Sequence, residues 1–357
     1  MERIRIAQIG VEHDHAAAIM RALRALPEYF EVVGYCDPEE EVEYEPFTGQ
    51  YTVAGYPYNG DPVLDSAAYE GLPKLSLEEL LSIDGLTAVT VETSEKNLFR
   101  YAYEAAKRGL NVHMDKPGGT SLADFEKLVQ CFRMTGKTLH LGYMYRYNPA
   151  LMKLYDDVKA GVFGKIYSVE CQMSTRHEDA KRAWMKHYQG GMMFFLGCHL
   201  LDVIYRLQGE PENLYAVCKP SGVGGLTEGQ DFAFAALEYP GGVSFLKTCS
   251  VEPGGFLRRQ IVICGENATA ELKPTERHYD GEIQLSSVRY VKDNIFVWEN
   301  DGETLDFYAD RYSAMLKGFH DISLGLKENP YTMDYELGLF RLIQRACGME
   351  EDGKALI

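Results

Sequence analysis

Two stretches of this chain carry residues able to move protons. Lys116 stands in His113-Met114-Asp115-Lys116-Pro117, just after the apolar-rich, β-like run Gly109 to His113. Proline lacks an amide hydrogen and biases its predecessor away from helix, so the strand must stop near Lys116. Ligands of α/β sheets bind at the carboxyl ends of strands, so a lysine there reads as placed rather than solvated. His199 stands in Gly190-Gly191-Met192-Met193-Phe194-Phe195-Leu196-Gly197-Cys198-His199-Leu200-Leu201-Asp202, within an otherwise apolar helical stretch. Taking hydride from a secondary alcohol needs a base for the hydroxyl proton and a cation near the developing alkoxide. Imidazole, with a reference pKa of about 6.5, suits the first task. Lys116 suits the second, and burial could lower its pKa toward base duty. Asp202, three residues after His199, lies on the same helical face and could orient the imidazole.

The elements that must position these residues follow a rhythm. Ile4 to Gly10 reads as a strand, Ala16 to Leu26 as a helix, and Glu31 to Cys36 as a second strand closed by Asp37-Pro38. Ser76 to Ile83 is a helix with a capping box from Ser76 and Glu79. Leu86 to Val91 is a strand, Asn97 to Arg108 a helix, and Val112 to Met114 a strand. Alternation of this kind means a parallel sheet covered on both faces. A helix from Leu122 to Thr135, a strand from Thr138 to Tyr143 and a helix from Pro149 to Ala160 follow. Six strand-like runs between Ile166 and Lys273 then have few helices between them, which means an antiparallel sheet. The helix around Phe194 to Leu207 should pack on it, and a late helix, Tyr335 to Cys347, should complete that domain. The expected fold is α/β: an N-terminal Rossmann parallel sheet over 1–121, then a C-terminal α/β domain over 122–357 with an open, mainly antiparallel sheet. The stretch 39–73 breaks the rhythm. It reads as a peripheral insertion or as a flap carrying Tyr56 or Tyr58.

The first strand-to-helix turn reads Gly10-Val11-Glu12-His13-Asp14-His15. A dinucleotide fingerprint has three glycines, G-x-G-x-x-G. Aligned on Gly10, the other two positions hold Glu12 and His15, and a carboxylate there would repel pyrophosphate. Context restores part of the signal. The turn follows a strand and opens a helix, and Asp37 closes the second strand roughly 25 residues beyond Gly10, near the spacing at which an acid receives ribose hydroxyls. An acid there favours NAD over NADP. His13 and His15 also suggest an H-x-H metal pair with Asp14 or Glu12, but no clear residue completes the set, so no metal is expected. Capping by Asp14 and hydrogen bonds from the two histidines to a ligand fit better.

Composition excludes several classes. The chain has 357 residues, 46% hydrophobic and 25% charged, with a net charge of -17. That charge argues against a nucleic-acid partner. Eight cysteines without CxxC spacing read as buried free thiols of a reducing cytoplasm. No run is long and apolar enough to span a membrane.

Asp115-Lys116-Pro117 resembles the Glu-Lys-Pro motif of the Gfo/Idh/MocA oxidoreductase family. Gly190-Gly191 through Gly197-Cys198-His199-Leu200-Leu201-Asp202 is similar to that family's G-G…D-x-G-x-H-x-x-D segment. The resemblance implies NAD(P)-dependent oxidation or reduction of a sugar, inositol or related polyol in a homo-oligomer, a dimer or tetramer. It implies that Lys116 bridges the nicotinamide ribose and the substrate hydroxyl, that His199 is the general acid/base, and that Pro117 shapes the turn beside the nicotinamide. Gly10, Glu12, His13, His15, Asp37, Thr93 and Asp115 would complete the cofactor side. Arg146 and Asn148 match a loop of the family that lines the site. Tyr145, Arg176, Trp184, His187 and Asp202 offer aromatic faces and polar groups for the substrate. Three departures stand out: the degenerate glycine loop, Phe195 where an acid precedes the histidine by four positions, and Thr93-Ser94-Glu95-Lys96-Asn97-Leu98 in place of Thr-Pro-x-x-x-His. They leave two alternatives open. One is an NAD-assisted glycosidase, epimerase or lyase using transient sugar oxidation. The other is a non-catalytic sugar-binding relative.

Overall fold

The computed structural model describes residues 2–11, 13–38, 51–53, 56–58, 66–292 and 303–349. Glu12 and most of the 39–73 insertion lie outside them, and of the flap candidates Tyr56 and Tyr58 only the strand assignment is described. The chain divides into two compact units. The first is Met1–Tyr51, Tyr58–Met144 and Tyr312–Phe340; the second is Thr52–Pro57, Tyr145–Arg311 and Arg341–Ile357.

The first unit opens with β1 (Ile4–Ile9), α1 (Ala16–Arg24) and β2 (Phe30–Cys36). Two short strands, β3 (Tyr51–Val53) and β4 (Tyr56–Tyr58), make a sheet of their own. Then come β5 (Lys74–Leu75), α2 (Leu77–Leu81), β6 (Ala88–Val91), α3 (Leu98–Lys107), β7 (Asn111–Met114), α4 (Leu122–Thr135) and β8 (Leu139–Leu141). The six-stranded sheet runs β5-β2-β1-β6-β7-β8 with every pair parallel. Strands β6, β7 and β8 are buried at every residue, as a sheet covered on both faces requires. Helix α1 buries Ala16, Ala17, Ile19, Met20 and Leu23, one apolar stripe at helical spacing. The capping box is present: Ser76 Oγ accepts from the Glu79 amide, and the Glu79 carboxylate accepts from the Ser76 amide. Strand order reverses direction at β1 and β6, and such a switch point is where open α/β sheets bind ligands.

The structure divides the chain later than the expected boundary near residue 121. Helix α4 and strand β8, expected in the second domain, belong to the first unit because β8 pairs in parallel with β7.

The second unit contains α5 (Pro149–Lys159), β9 (Ile166–Gln172), α6 (Asp179–Trp184), α7 (Cys198–Gln208), β10 (Asn213–Lys219), β11 (Phe232–Tyr239), β12 (Gly242–Cys249), β13 (Gln260–Gly265), β14 (Ala268–Leu272), β15 (Arg277–Asp280), β16 (Ile283–Lys292) and β17 (Glu303–Ala309). The sheet order is β10-β11-β12-β9-β13-β14-β16-β15, with β17 also on β16. Within this sheet, among the described strands, only β12 and β9 pair in parallel. A π-helical turn, Met193–Gly197, leads into α7, which lies against β9 and β12. Helix α8 (Ser313–Ser323) belongs to the first unit, and α9 (Met333–Ala346), expected to complete the second domain, is shared: its residues through Phe340 group with the first. Strands β15 to β17 have no counterpart in the sequence reading. All four residues of β15 are exposed, so it lacks the apolar alternation that marks a strand, whereas β17 alternates half-buried Leu305, Phe307 and Ala309 with exposed neighbours.

Candidate active site

In the first unit three strands end in one row. Ile9 pairs with Val91 and Val91 with Met114, so Gly10, Glu92 and Asp115 emerge side by side. The backbone holds them there: the Glu92 amide donates to the Ile9 carbonyl and the Asp115 amide to the Val91 carbonyl. The His13 amide donates to the Glu92 carbonyl, which brings the turn before α1 over the same row. His13 Nδ1 then lies 3.0 Å and His15 Nδ1 2.7 Å from Asp115 Oδ2. His13 Nε2 is 3.6 Å from Glu95 Oε1. The Lys116 amide donates to Asp115 Oδ1 at 2.6 Å, and the Lys116-Pro117 peptide is cis. Asp115, Lys116, His13, Glu92 and Glu95 are all buried.

Burial and neighbours set the charges of this cluster. Burial pushes the Asp115 carboxyl up, but the two imidazoles outweigh it and hold Asp115 well below the usual carboxylate range. Burial also opposes a charged His13, yet Asp115 and Glu95 carry its pKa well above the ordinary value. For His15 burial prevails over Asp115, and the charges of His13 and Lys116 add to it, so its pKa falls. Glu92 is raised well above the ordinary value by burial and then by Asp115. No donor reaches either Glu92 oxygen among the described residues. Glu92 and Glu95 were not singled out in the sequence.

The residues fit a dinucleotide at three points. Gly10 has φ +93°, and a Cβ there would lie 2.4 Å from Thr93 Cγ2 and 2.7 Å from the Glu92 carbonyl carbon, so this turn admits only glycine. Asp37 Oδ1 is buried with no hydrogen-bond partner among the described residues, which leaves an acceptor for a ribose hydroxyl. Asp37 Oδ2 is 3.5 Å from Lys74 Nζ. Helix α1 begins behind His15 with no side-chain cap and no acid in its first turn, the condition under which helix amides receive a phosphate.

The second unit gathers a different set of groups. Arg146 and Asp202 form a buried pair: Nε lies 3.1 and 3.0 Å from the two carboxylate oxygens, and a terminal nitrogen lies 2.8 Å from Oδ1. The Tyr145 ring meets the His199 ring edge-on at 5.0 Å. The Tyr145 hydroxyl donates to Glu276 at 2.5 Å and accepts from Arg259 at 3.0 Å. Burial, then the Glu276 charge, pushes the Tyr145 hydroxyl far up. Glu276 also receives Arg259 and Arg311, each at 2.7 Å. Burial opposes its ionisation, but the two guanidinium groups prevail and its pKa is lowered. Glu276, Arg259 and Arg311 come from separate strands and loops, and no spacing marks them in sequence.

Several proposed substrate residues have structural duties here. Asn148 caps α5: its Oδ1 accepts from the Ala150 and Leu151 amides, and its Nδ2 donates to Ser286 Oγ. Trp184, Tyr188 and Phe195 form an aromatic cluster with ring centroids 5.1–5.2 Å apart, and the Lys181 ammonium lies 3.9 Å over Trp184. Phe195 therefore packs against rings where the family pattern has an acid. Arg176 is exposed and bridges Val251, and His187 is half-buried. The paired glycines are steric necessities. A Cβ on Gly190 would lie 2.3 Å from Cys347 Sγ, and one on Gly191 2.1 Å from the Gln230 carbonyl oxygen.

A parallel sheet with a switch point between β1 and β6 is the architecture on which dinucleotides bind. A family profile described as "Oxidoreductase family, NAD-binding Rossmann fold" matches residues 4–143, and the "GFO/IDH/MocA C-terminal domain" profile matches 151–271. The chain belongs to the Gfo/Idh/MocA family. Relatives include the rhizopine catabolism protein MocA of Rhizobium meliloti, 26% identical over 161 residues, 44% of this chain and 50% of the relative. Trans-1,2-dihydrobenzene-1,2-diol dehydrogenase of Bos taurus is 27% identical over 229 residues, 62% of this chain and 64% of the relative. Among solved structures, a 3-ketoreductase from Actinomadura kijaniata in complex with TDP-benzene and NADP superposes with a TM-score of 0.72 at 17% identity, over 99% of this chain and 98% of that one. The chain spans about half the length of the first of the curated relatives it matches. No helix among the described residues is long and apolar enough to cross a membrane.

Proposed function

We propose that this protein is an NAD(P)-dependent oxidoreductase acting on a secondary hydroxyl or keto group of a sugar, inositol or glycoside. The observation that carries this reading is Lys116, buried at the end of β7 in the row of strand ends, with its amide bonded to Asp115. A bound nicotinamide dinucleotide supplies the hydride chemistry. The chain's own residues do the rest. Lys116 Nζ stabilises the substrate oxygen as alkoxide charge develops on it. His199 takes the hydroxyl proton in oxidation and returns it in reduction. Gly10 lets the turn close, and Asp37 accepts the ribose hydroxyls. Its carboxylate disfavours a 2′-phosphate, so NAD is the better fit.

NADH and NADPH fluorescence titrations test this reading, with NADH expected to bind tighter. Binding of neither would overturn it. Equal binding of both would overturn the role of Asp37. His199→Ala should lose activity most strongly near neutral pH, and a normal rate there would remove the acid/base role.

A further inference from the structure

The sequence offers His13 and His15 as an H-x-H pair without a third ligand. The fold supplies one: Asp115, 100 residues beyond His15. One ligand atom from each of the three lies within 4.8 Å of the other two. Asp115 Oδ2 is 3.0 and 2.7 Å from the two Nδ1 atoms. Ligand atoms of a tetrahedral Zn²⁺ site are about 3.3 Å apart, given Zn–N distances of roughly 2.0–2.1 Å, so the two Asp115 contacts would lengthen by roughly 0.3–0.6 Å around an ion.

Two further observations point to a cation. Glu92 is wholly buried beside Asp115 with no donor to either oxygen among the described residues. Glu95 brings another carboxylate against His13. A bound ion would take the place of the His15 amide at His13 Nδ1. It would also carry positive charge into a carboxylate-rich strand-end row where a dinucleotide phosphate should approach.

We propose that His13, His15 and Asp115 bind one divalent first-row transition metal at the carboxyl ends of β1 and β7, in place of the missing fingerprint glycines. Two imidazoles and one carboxylate are a borderline donor set that suits Zn²⁺, Fe²⁺ or Mn²⁺ and leaves positions open. The open positions would take water or a phosphate oxygen; that last step alone rests on the function proposed above.

The test uses the full-length protein dialysed against chelator, then titrated with Zn²⁺ by calorimetry and with Co²⁺ by visible absorption. One equivalent should bind, and Co²⁺ should give the d–d bands of low-coordinate N/O ligation. His15 is the most exposed of the three, at 12% for its side chain, so His15→Ala should keep the fold. Losing an outer-shell partner alone costs about 10–100-fold in metal affinity, so losing this ligand should cost at least that much. Absence of stoichiometric binding in the wild type, or equal binding by His15→Ala, would overturn the site. NADH titration of the same sample before and after Zn²⁺ loading separates the two proposals: metal binding with NADH binding in neither state would keep the site and sink the cofactor reading.

Discussion

Both units bury charge, and they neutralise it differently. In the second unit Asp202 faces Arg146, and Glu276 faces Arg259 and Arg311. Guanidinium stays charged at any working pH, so these pairs are permanent. In the first unit Asp115 faces two imidazoles beside the buried Glu92, whose pKa burial raises. Those partners are groups whose charge can change. The first set is scaffold, made of fixed charges with planar geometry. The second is a set of titratable groups, where we propose that ligands bind.

That contrast can be broken most sharply at Lys116. Lys116→Ala should lower turnover by about 10²–10³-fold, the usual size for loss of a group that stabilises developing charge, with an unchanged melting curve. Full activity would remove the lysine from the mechanism. Next in size is Arg146→Ala, which leaves Asp202 buried without its guanidinium. Breaking a buried pair on one side costs about 3–5 kcal/mol, so urea unfolding should show a large loss of stability. A loss below about 1 kcal/mol, the range of exposed pairs, would show that the pair is not part of a rigid scaffold.

The pH dependence of stability sharpens the comparison. The folded pKa of Glu276 lies below its ordinary value of 4.5. The stability it contributes is therefore fully present above pH 4.5 and lost as pH falls through the lowered folded pKa. Denaturant midpoints at stepped pH should fall more steeply in this acid range for the wild type than for Glu276→Gln. Matching slopes would deny the Arg259–Glu276–Arg311 network its role. The smallest effect belongs to Ser76→Ala, which removes the α2 capping box and should cost about 1 kcal/mol, with no effect on ligand binding.

The sequence made some of this legible and hid the rest. Local signals carried well: the Ser76–Glu79 box, the α4 span Leu122–Thr135 and the helix-strand alternation of the first unit all appear in place. The exposed edge strand β15 was not legible, because a strand with no buried face has no alternation to read; β17 does alternate, with Leu305, Phe307 and Ala309 half-buried, and the sequence reading missed it. At the site, Lys116 and the His13/His15 pair were visible as residues, but their meeting point was not. Asp115 joins the histidines through the pairing of β1, β6 and β7, and Glu92 enters only because β6 ends in the same row. The Gly190-Gly191 signature was visible too, but its cause is steric: Cys347 and the Gln230 carbonyl oxygen occupy the space a Cβ would need.

The central claim is that the strand-end row of the first unit receives a nicotinamide dinucleotide beside Lys116. Titration of the purified protein with NADH, followed by nicotinamide fluorescence, tests it directly. Saturable binding of one NADH per chain, weakened by Asp37→Ala, is the expected result. No binding at cofactor concentrations on the order of 1 mM, the upper end of ordinary KM values, would contradict it.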